Sequence, residues 1–340
     1  MKKTALLTTT AALACANFAY SVSFDNDGGD NLWSTATNWN PDGVPVLATD
    51  ITNYTTNDVT VNISGAVADT YWLRNNTLTV TTGGNLAITN SVRLAHGGGG
   101  SSAQTLIVEG NGVFSAGTIA FDTAGSNDTV SRITVSDTAS FTVNGNINQT
   151  DAEGTLNYNQ TGGTVDIGAN FNVGTKGSST NKNYEVNVSG TSILGYDTAN
   201  FGTLASANAD TLINLSGSNY AITADTATNL GADGQTTFEF DISGIGTWDA
   251  QALTIAGGHQ FTIDLTNADQ SDLGATFELI GFTTIVGFDA DNFTFVGNLD
   301  AGAYAFVDGD SINIALVPEP GTYALLAGLT GLVFVMLRRR

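Results

Sequence analysis

Residues 78–88 read Leu-Thr-Val-Thr-Thr-Gly-Gly-Asn-Leu-Ala-Ile, two short segments with alternating apolar side chains separated by a glycine turn. Comparable units start at Leu78, Leu106, Ile133, Leu156, Val186 and Leu212. Their spacing is 23 to 30 residues. One unit cannot bury its apolar face alone, but stacked units can, which is the logic of a β-solenoid. The sequence therefore predicts an all-β fold, a right-handed parallel β-helix with capping ends, whose repeats occupy residues 51–260.

A second architecture also places many short strands at regular intervals. A β-sandwich does so with antiparallel strands, and it is the alternative fold. The recurrence of one unit favours the solenoid, because each coil reuses the same side-chain pattern. From Phe261 onward the segments are richer in phenylalanine and have longer, aspartate-containing turns. Residues 261–316 are therefore predicted to form a C-terminal β cap.

The segment before the repeats, residues 22–50, contains two tryptophans six positions apart, Trp33 and Trp39. It resembles the N-terminal part of exported proteins whose bodies consist of autotransporter-like β-strand repeats. The open end of a sheet stack must be covered, so the two indoles are predicted to plug that end as an N-terminal cap. The alternative is an aromatic platform on which a sugar stacks.

The N-terminus has the three parts of a secretory signal peptide. A basic start, Met1 to Lys3, precedes a mostly apolar segment, Thr4 to Ala16, and a small-x-small pattern ends at Ser21. Residues 1–21 are therefore predicted to direct the chain to the secretion machinery, with cleavage after Ser21 or a nearby alanine. The only cysteine, Cys15, would leave with this peptide, so the mature chain would have no disulfide and no thiol nucleophile.

The region between Val22 and Leu337 is strongly acidic. It has five basic residues against 32 acidic ones, a net charge of −27. Nucleic acid is a poor partner for such a surface, so no nucleic-acid binding is expected. Divalent cations suit it better. Asp25, Asp27 and Asp30, spaced around two glycines, are predicted to bind calcium, with an ordinary turn as the alternative.

A sixteen-residue apolar segment, Thr322 to Leu337, is followed by Arg338, Arg339 and Arg340. The composition predicts one apolar transmembrane helix that anchors the chain in the membrane, with the arginines as a stop signal on the cytoplasmic side. At about 1.5 Å per residue this helix reaches only about 24 Å, against a hydrocarbon core of about 30 Å, so the predicted span is short. The rest of the chain would lie outside the inner membrane.

The triplet Pro318-Glu319-Pro320 precedes that helix. Its prolines hold an extended peptide that a processing enzyme can grip. With the helix and the arginines, residues 317–340 resemble the PEP-CTERM sorting tail of bacteria that make extracellular polysaccharide. The resemblance implies that Pro318, Glu319 and Pro320 are recognised by a membrane-embedded processing enzyme, the exosortase. It also implies delivery to the cell envelope, the cell surface or the extracellular matrix.

The sequence offers little that resembles a catalytic centre. Both histidines, His96 and His259, adjoin glycines, are predicted to lie in turns or loops, and have no nucleophile elbow near them. The chain is therefore expected not to be an enzyme but a structural or adhesive protein associated with exopolysaccharide. The alternative is a carbohydrate-active β-helix enzyme, a polysaccharide lyase or hydrolase, or a carbohydrate-binding module, because carboxylates are plentiful.

Overall fold

A computed structural model describes most of the chain. The described residues are 21–45, 49–53, 56–94, 103–121, 130–149, 155–175, 182–203, 209–232, 234–240, 245–268, 272–297, 302–317 and 320–338. Several features predicted from the sequence lie outside them: almost all of the signal peptide, His96, Pro318, Glu319, Arg339 and Arg340.

The described residues are mainly short β-strands. The first nine are β1 (Val22–Phe24), β2 (Trp39–Asn40), β3 (Ile51–Asn53), β4 (Val59–Val61), β5 (Ala66–Leu73), β6 (Thr77–Val80), β7 (Asn85–Leu94), β8 (Gln104–Val108) and β9 (Val113–Phe121). The next nine are β10 (Val130–Val135), β11 (Ser140–Val143), β12 (Ile147–Gln149), β13 (Thr155–Gln160), β14 (Thr164–Val173), β15 (Lys182–Ser189), β16 (Ile193–Phe201), β17 (Ala209–Ser216) and β18 (Ala221–Leu230). The last nine are β19 (Gly234–Glu239), β20 (Thr247–Asp249), β21 (Ala252–Ile255), β22 (Gln260–Leu265), β23 (Thr276–Gly281), β24 (Thr284–Val286), β25 (Phe293–Gly297), β26 (Tyr304–Asp308) and β27 (Ser311–Ala315). One α-helix follows in the described residues, α1 (Pro320–Arg338).

One sheet, called sheet 1, is a parallel ladder of ten described strands. In order along the stack they are β4, β6, β8, β10, β13, β15, β17, β19, β22 and β25. Ile133, Tyr158 and Val186 occupy equivalent positions in three neighbouring strands. Each pair of neighbours is connected by a full coil of chain, which confirms the predicted parallel β-solenoid. The β-sandwich alternative is wrong, because its strands would pair antiparallel.

The second sheet, sheet 2, supplies the remaining sides of the coil. Seven of its parallel strands follow one another along the stack: β3, β5, β7, β9, β14, β16 and β18. At three levels of the stack, two short strands take the place of one long strand. These pairs are β11 and β12, β20 and β21, and β23 and β24. The long strands shift register near their middle, for example between Ile88 and Ser91 and between Ile167 and Asn170. Each long strand therefore bends, and a coil has three straight sides around one core.

That core consists of the inward side chains of both sheets. Buried and outward residues alternate along nearly every strand, as the period-two pattern predicts. Aromatic rings stack from coil to coil, with centroids 4.9 Å apart for Phe114 and Phe141 and 4.4 Å apart for Phe261 and Phe293. The repeats thus bury their apolar faces against one another rather than within one unit.

Trp33 and Trp39 lie at the N-terminal end of this core, and both are fully buried. Their ring centroids are 4.7 Å apart, and the indole nitrogen of Trp39 donates to the carbonyl oxygen of Trp33 at 2.9 Å. Trp33 also stacks on Tyr71 of β5, with centroids 6.2 Å apart. Because both indoles are enclosed, neither offers a free face on which a sugar could stack.

The segment predicted as the C-terminal cap contains both kinds of strand pairing. β22 and β25 extend sheet 1 in parallel, so parallel stacking continues beyond residue 261. Antiparallel pairing also occurs in this segment, where β27 pairs with both β26 and β23. Sequence could not locate this change, because parallel and antiparallel strands share the same alternation of apolar side chains.

The apolar C-terminal segment forms α1, as its composition predicts. Among the residues that the structure describes, no helix is long and apolar enough to cross a membrane. The transmembrane anchor over residues 322–337 stays a prediction.

Asparagines form a ladder on the outer face of sheet 2. The members are Asn148, Asn172, Asn200 and Asn229, one from each of four successive coils. The side-chain nitrogens of Asn172, Asn200 and Asn229 each donate to the side-chain oxygen of the asparagine one coil earlier, at 2.5, 2.7 and 2.8 Å respectively. These hydrogen bonds link adjacent coils at half-buried positions, where an amide without a partner would be incompletely hydrated.

Replacing the central asparagine should weaken the stack measurably. Asn200→Ala removes two ladder hydrogen bonds, one given to Asn172 and one received from Asn229. We expect the free energy of unfolding in urea to fall by about 1–2 kcal/mol. Thr254→Ala is the matched control, because Thr254 is exposed and is the next residue of the same column after Asn229. Equal losses in both variants would show that the ladder adds nothing.

Candidate functional site

The polypeptide leaves the folded body directly after β27. Leu316 is fully buried, and its backbone is held on both sides. Its amide donates to the carbonyl oxygen of Ala275 at 3.2 Å, and its carbonyl oxygen accepts from the amide of Gly274 at 2.6 Å. The next residue, Val317, is exposed. The folded body therefore ends at Leu316, immediately before the Pro318-Glu319-Pro320 triplet.

The apolar side chains in the C-terminal part of α1 are exposed. Every residue from Ala327 to Arg338 is exposed. Leu332, Phe334 and Leu337 expose 54, 68 and 67% of their surfaces. A helix that is apolar on all sides gains stability only from an apolar partner. Because these side chains do not pack on the solenoid, a partner can bind them without unfolding the body.

The aspartate loop near the N-terminus uses its oxygens internally. One oxygen of Asp30 accepts from the side-chain amide of Asn38 at 2.6 Å and from the backbone amide of Leu32 at 3.0 Å. The other accepts from the Thr35 hydroxyl at 2.6 Å. These donors, with Thr35 as the largest contributor, hold the pKa of the Asp30 carboxyl below its usual value. The charged carboxylate is thus stabilised by the loop itself.

Asp25, Asp27 and Asp30 are not gathered into a set of metal ligands: within the described ranges, no group of three or more His, Cys, Asp or Glu side chains is placed to hold a metal ion. Calcium binding by these residues stays a prediction. The Asp30 oxygens that would be ligands already accept hydrogen bonds, and an oxygen of Asp25 lies 3.4 Å from the amide nitrogen of Asp27. The residue types that form a calcium-binding loop also form Asx turns, so the spacing of these acids in the sequence does not distinguish the two.

His259 lies in the loop before β22, as the sequence predicted, and its side chain is buried. Its Nδ1 lies 2.9 Å from the carbonyl oxygen of Gly231, and its Nε2 lies 3.0 Å from the hydroxyl of Thr236. A carbonyl only accepts, so Nδ1 carries the proton and Nε2 accepts from Thr236. Burial lowers the pKa of His259 to about 4. The neutral ring is therefore held in place by its hydrogen bonds to Gly231 and Thr236.

A cavity of about 260 Å³ lies where the last coils meet the antiparallel strands. Three carboxylates line it, those of Asp249, Glu278 and Asp310, together with Trp248 and Gln251. The backbone amide of Gln251 donates to an oxygen of Asp249 at 3.2 Å. Sequence analysis missed this group, because its acids come from β20, β23 and the β26–β27 turn. No local spacing connects them.

Comparison with known proteins gives one match. The PEP-CTERM protein-sorting motif matches residues 316–340, starting at the residue where the folded body ends. A search of curated proteins and a search of solved structures gave no match. The chain therefore combines a parallel β-solenoid body with a C-terminal protein-sorting motif. The chain carries a PEP-CTERM sorting motif, which implies export and processing by an exosortase at the cell surface.

Removing the tail should leave the body intact. A chain that ends at Val317 keeps Leu316 and all the strands, so we expect its free energy of unfolding to match that of the full chain within about 0.5 kcal/mol. Thermal and urea unfolding followed by circular dichroism would measure this. A chain that ends at Asp310 is the control, because it lacks β27 and its buried Ile312 and Ile314, and it should melt lower. Destabilisation by the first truncation would contradict the boundary at Leu316.

Proposed function

We propose that this protein is a non-catalytic structural or adhesive component of the cell surface or extracellular matrix, associated with exopolysaccharide. The observation that carries the proposal is the position of the sorting motif. It begins where the solenoid ends, so processing can release a folded body for a role outside the cell. The acidic charge of that body keeps it soluble and hydrated in such surroundings.

The outer face of sheet 1 supports an adhesive role. One outward column carries hydroxyl or amide side chains at nine of its ten positions. These are Thr60, Thr79, Thr134, Asn159, Asn187, Asn214, Thr237, Thr262 and Thr294, with Ile107 as the exception. Successive strands are about 4.8 Å apart, so hydrogen-bonding groups repeat at that interval along the stack. A regular polar face of this kind suits a hydrated polymer that is itself a repeat of hydroxyl groups.

Processing and retention can be tested together in a host that has the exosortase. We expect the full chain to be found in the envelope or matrix fraction, with an intact mass that lacks the C-terminal helix. A Pro318→Ala, Pro320→Ala variant should keep the helix, because the extended recognition peptide is lost. A chain that ends at Val317 should appear in the medium. Equal release of the full and shortened chains, or a retained Arg340 in the mature protein, would contradict the proposal.

The carboxylate-lined cavity favours a second candidate function, a carbohydrate-active enzyme. Paired carboxylates can act as acid and base on a glycosidic bond. Asp249, Glu278 and Asp310 are the residues that would do so here. Because the cavity lies at the last coils, a polymer would reach these carboxylates from the side of the solenoid.

Release of reducing ends from a panel of neutral and acidic polysaccharides tests this second function. Activity that disappears in Asp249→Asn and Glu278→Gln, but not in Asp166→Asn, would establish the enzyme. Asp166 is the control because it is exposed on β14, away from the cavity. No release of reducing ends by the unaltered protein on any substrate would remove the enzyme from consideration.

A further inference from the structure

A second cavity, of about 120 Å³, lies on sheet 1 among β15, β17 and β19. Five of its lining side chains are exposed or half-buried, and they form two rows. Glu185, Leu212 and Gln235 occupy equivalent positions in the three strands, and Asn183 and Asp210 form the row two residues earlier. Neighbouring strands are about 4.8 Å apart and alternate residues about 7 Å apart, so these side chains surround one small area. We call it the Leu212 cavity.

The carboxylate of Glu185 is held by a line of amide hydrogen bonds. Its Oε2 accepts from the side-chain nitrogen of Asn157 at 2.6 Å, and the oxygen of Asn157 accepts from Asn159 at 2.5 Å. Asn187 donates to Asn159, and Asn214 donates to Asn187, each at 2.7 Å. The line crosses the outer face of sheet 1 and ends on this carboxylate. Glu185 is therefore oriented before a ligand arrives.

The other polar groups of the Leu212 cavity have unused hydrogen-bonding capacity. Among the described residues, the side chains of Asn183, Asp210 and Gln235 have no hydrogen-bond or ion-pair partner. They surround the apolar side chain of Leu212, which is half-buried on the same face. A concave surface that places a few polar groups around an apolar contact is typical of a site for a small ligand.

We infer that the Leu212 cavity binds a neutral hexose unit of the exopolysaccharide, an inference that rests on the proposed matrix function. The carboxylates of Glu185 and Asp210 accept from sugar hydroxyls, and the amide nitrogens of Asn183 and Gln235 donate to the oxygens of other hydroxyls. The C–H surface of the sugar ring packs on Leu212. The small volume limits the cavity to one sugar unit of the polymer.

The charge of the site argues against two other kinds of sugar. A uronic acid would place its carboxylate beside those of Glu185 and Asp210, on a body that already has a net charge of −27. The ammonium group of an amino sugar only donates, so it would leave the amide nitrogens of Asn183 and Gln235 unused. A hydroxyl both donates and accepts, which matches a site that contains acceptors and donors.

Saturation-transfer NMR on the purified full chain tests the assignment, with oligomers of dextran, cellulose and mannan as neutral probes. An oligogalacturonate and a chitosan oligomer are the charged comparisons. We expect at least one neutral oligomer to bind more tightly than both charged ones. Glu185→Gln and Asp210→Asn should each weaken that binding at least fivefold, and Leu212→Ala should weaken it as well.

Glu239→Gln is the matched control for Glu185→Gln. Glu239 is exposed on the same face of sheet 1 and lies outside the cavity, so this variant loses the same charge and should change binding less than twofold. Thermal melting of each variant reports whether the fold is kept. An equal loss in Glu239→Gln and Glu185→Gln would overturn the inference, because general charge alone would then explain the binding.

Two further results would also overturn the inference. They are no binding of any neutral oligomer, and tighter binding of the oligogalacturonate or the chitosan oligomer. The inference and the proposed function fail in different ways. If the body is retained in the matrix but binds no neutral oligomer, the cavity assignment fails while the matrix function stands. If the body binds the oligomer but is absent from the envelope and matrix fractions, the assignment stands and the matrix function fails.

Discussion

Gly231→Ala should destabilise the solenoid by about 3 kcal/mol or more. Gly202 and Gly231 follow the ends of β16 and β18, whose last residues are in register, so the two glycines stack at one corner of successive coils. A Cβ on Gly231 would lie 1.5 Å from the carbonyl oxygen of Gly202 and 2.1 Å from its carbonyl carbon. Both atoms are backbone, so no side chain can move aside, and the coils must separate.

Gly257→Ala is the matched control for this substitution. A Cβ there has no heavy atom within 4 Å, and the backbone is not in the left-handed region. We expect its free energy of unfolding to stay within about 0.5 kcal/mol of the unaltered protein. Urea unfolding at neutral pH measures both variants. If Gly231→Ala is as stable as Gly257→Ala, the coils do not approach each other at this corner as closely as described.

Acidification from pH 7.5 to 5 should cost the folded state about 2 kcal/mol through His259 alone. The folded protein holds this ring neutral with a pKa of about 4, whereas an unfolded histidine titrates near about 6.5. Between these values the unfolded chain binds more protons than the folded one, so the free energy of unfolding falls as the pH falls. The contribution is fully present above the unfolded pKa and is lost progressively towards the folded one.

His259→Gln separates this effect from the other titrations. Glutamine does not ionise, so the variant should lose some stability at pH 7.5 but lack the additional decrease of about 2 kcal/mol at pH 5. The carboxylate of Asp30, whose pKa is lowered, contributes only at more acidic pH and is common to both proteins. The measurement is urea unfolding at several pH values. Parallel pH profiles for the two proteins would contradict a neutral, buried His259.

The alternation of apolar and polar side chains within residues 78–88, and its recurrence along the chain, predicted the fold. Period two assigns Leu78, Val80, Leu86 and Ile88 to one side of the chain, and all four are buried. The sorting tail was equally accessible to sequence reading, because triplet, apolar segment and arginines are contiguous. Closely spaced acids likewise led to the calcium prediction at Asp25, Asp27 and Asp30, but spacing alone could not show that the Asp30 oxygens accept hydrogen bonds from Leu32, Thr35 and Asn38 of the same loop.

The asparagine ladder has a signal in the sequence. An asparagine, an apolar residue and a glycine recur at 172–174, 200–202 and 229–231. The first position supplies the ladder and the third the tight corner between the sheets. Recurrence of both at the coil spacing predicts that they stack, and this pattern would have identified Gly231 as a packing constraint.

By itself, the sequence determined which side chains enter the core, that the units stack, and where the sorting tail lies. These features depend on neighbours along the chain. Only the tertiary structure decided that His259 is buried against Gly231 and that Asp249, Glu278 and Asp310 line one cavity. Those contacts join residues separated by a full coil or more. Their formation depends on the register between coils, which is set by the packing of the whole stack rather than by local sequence.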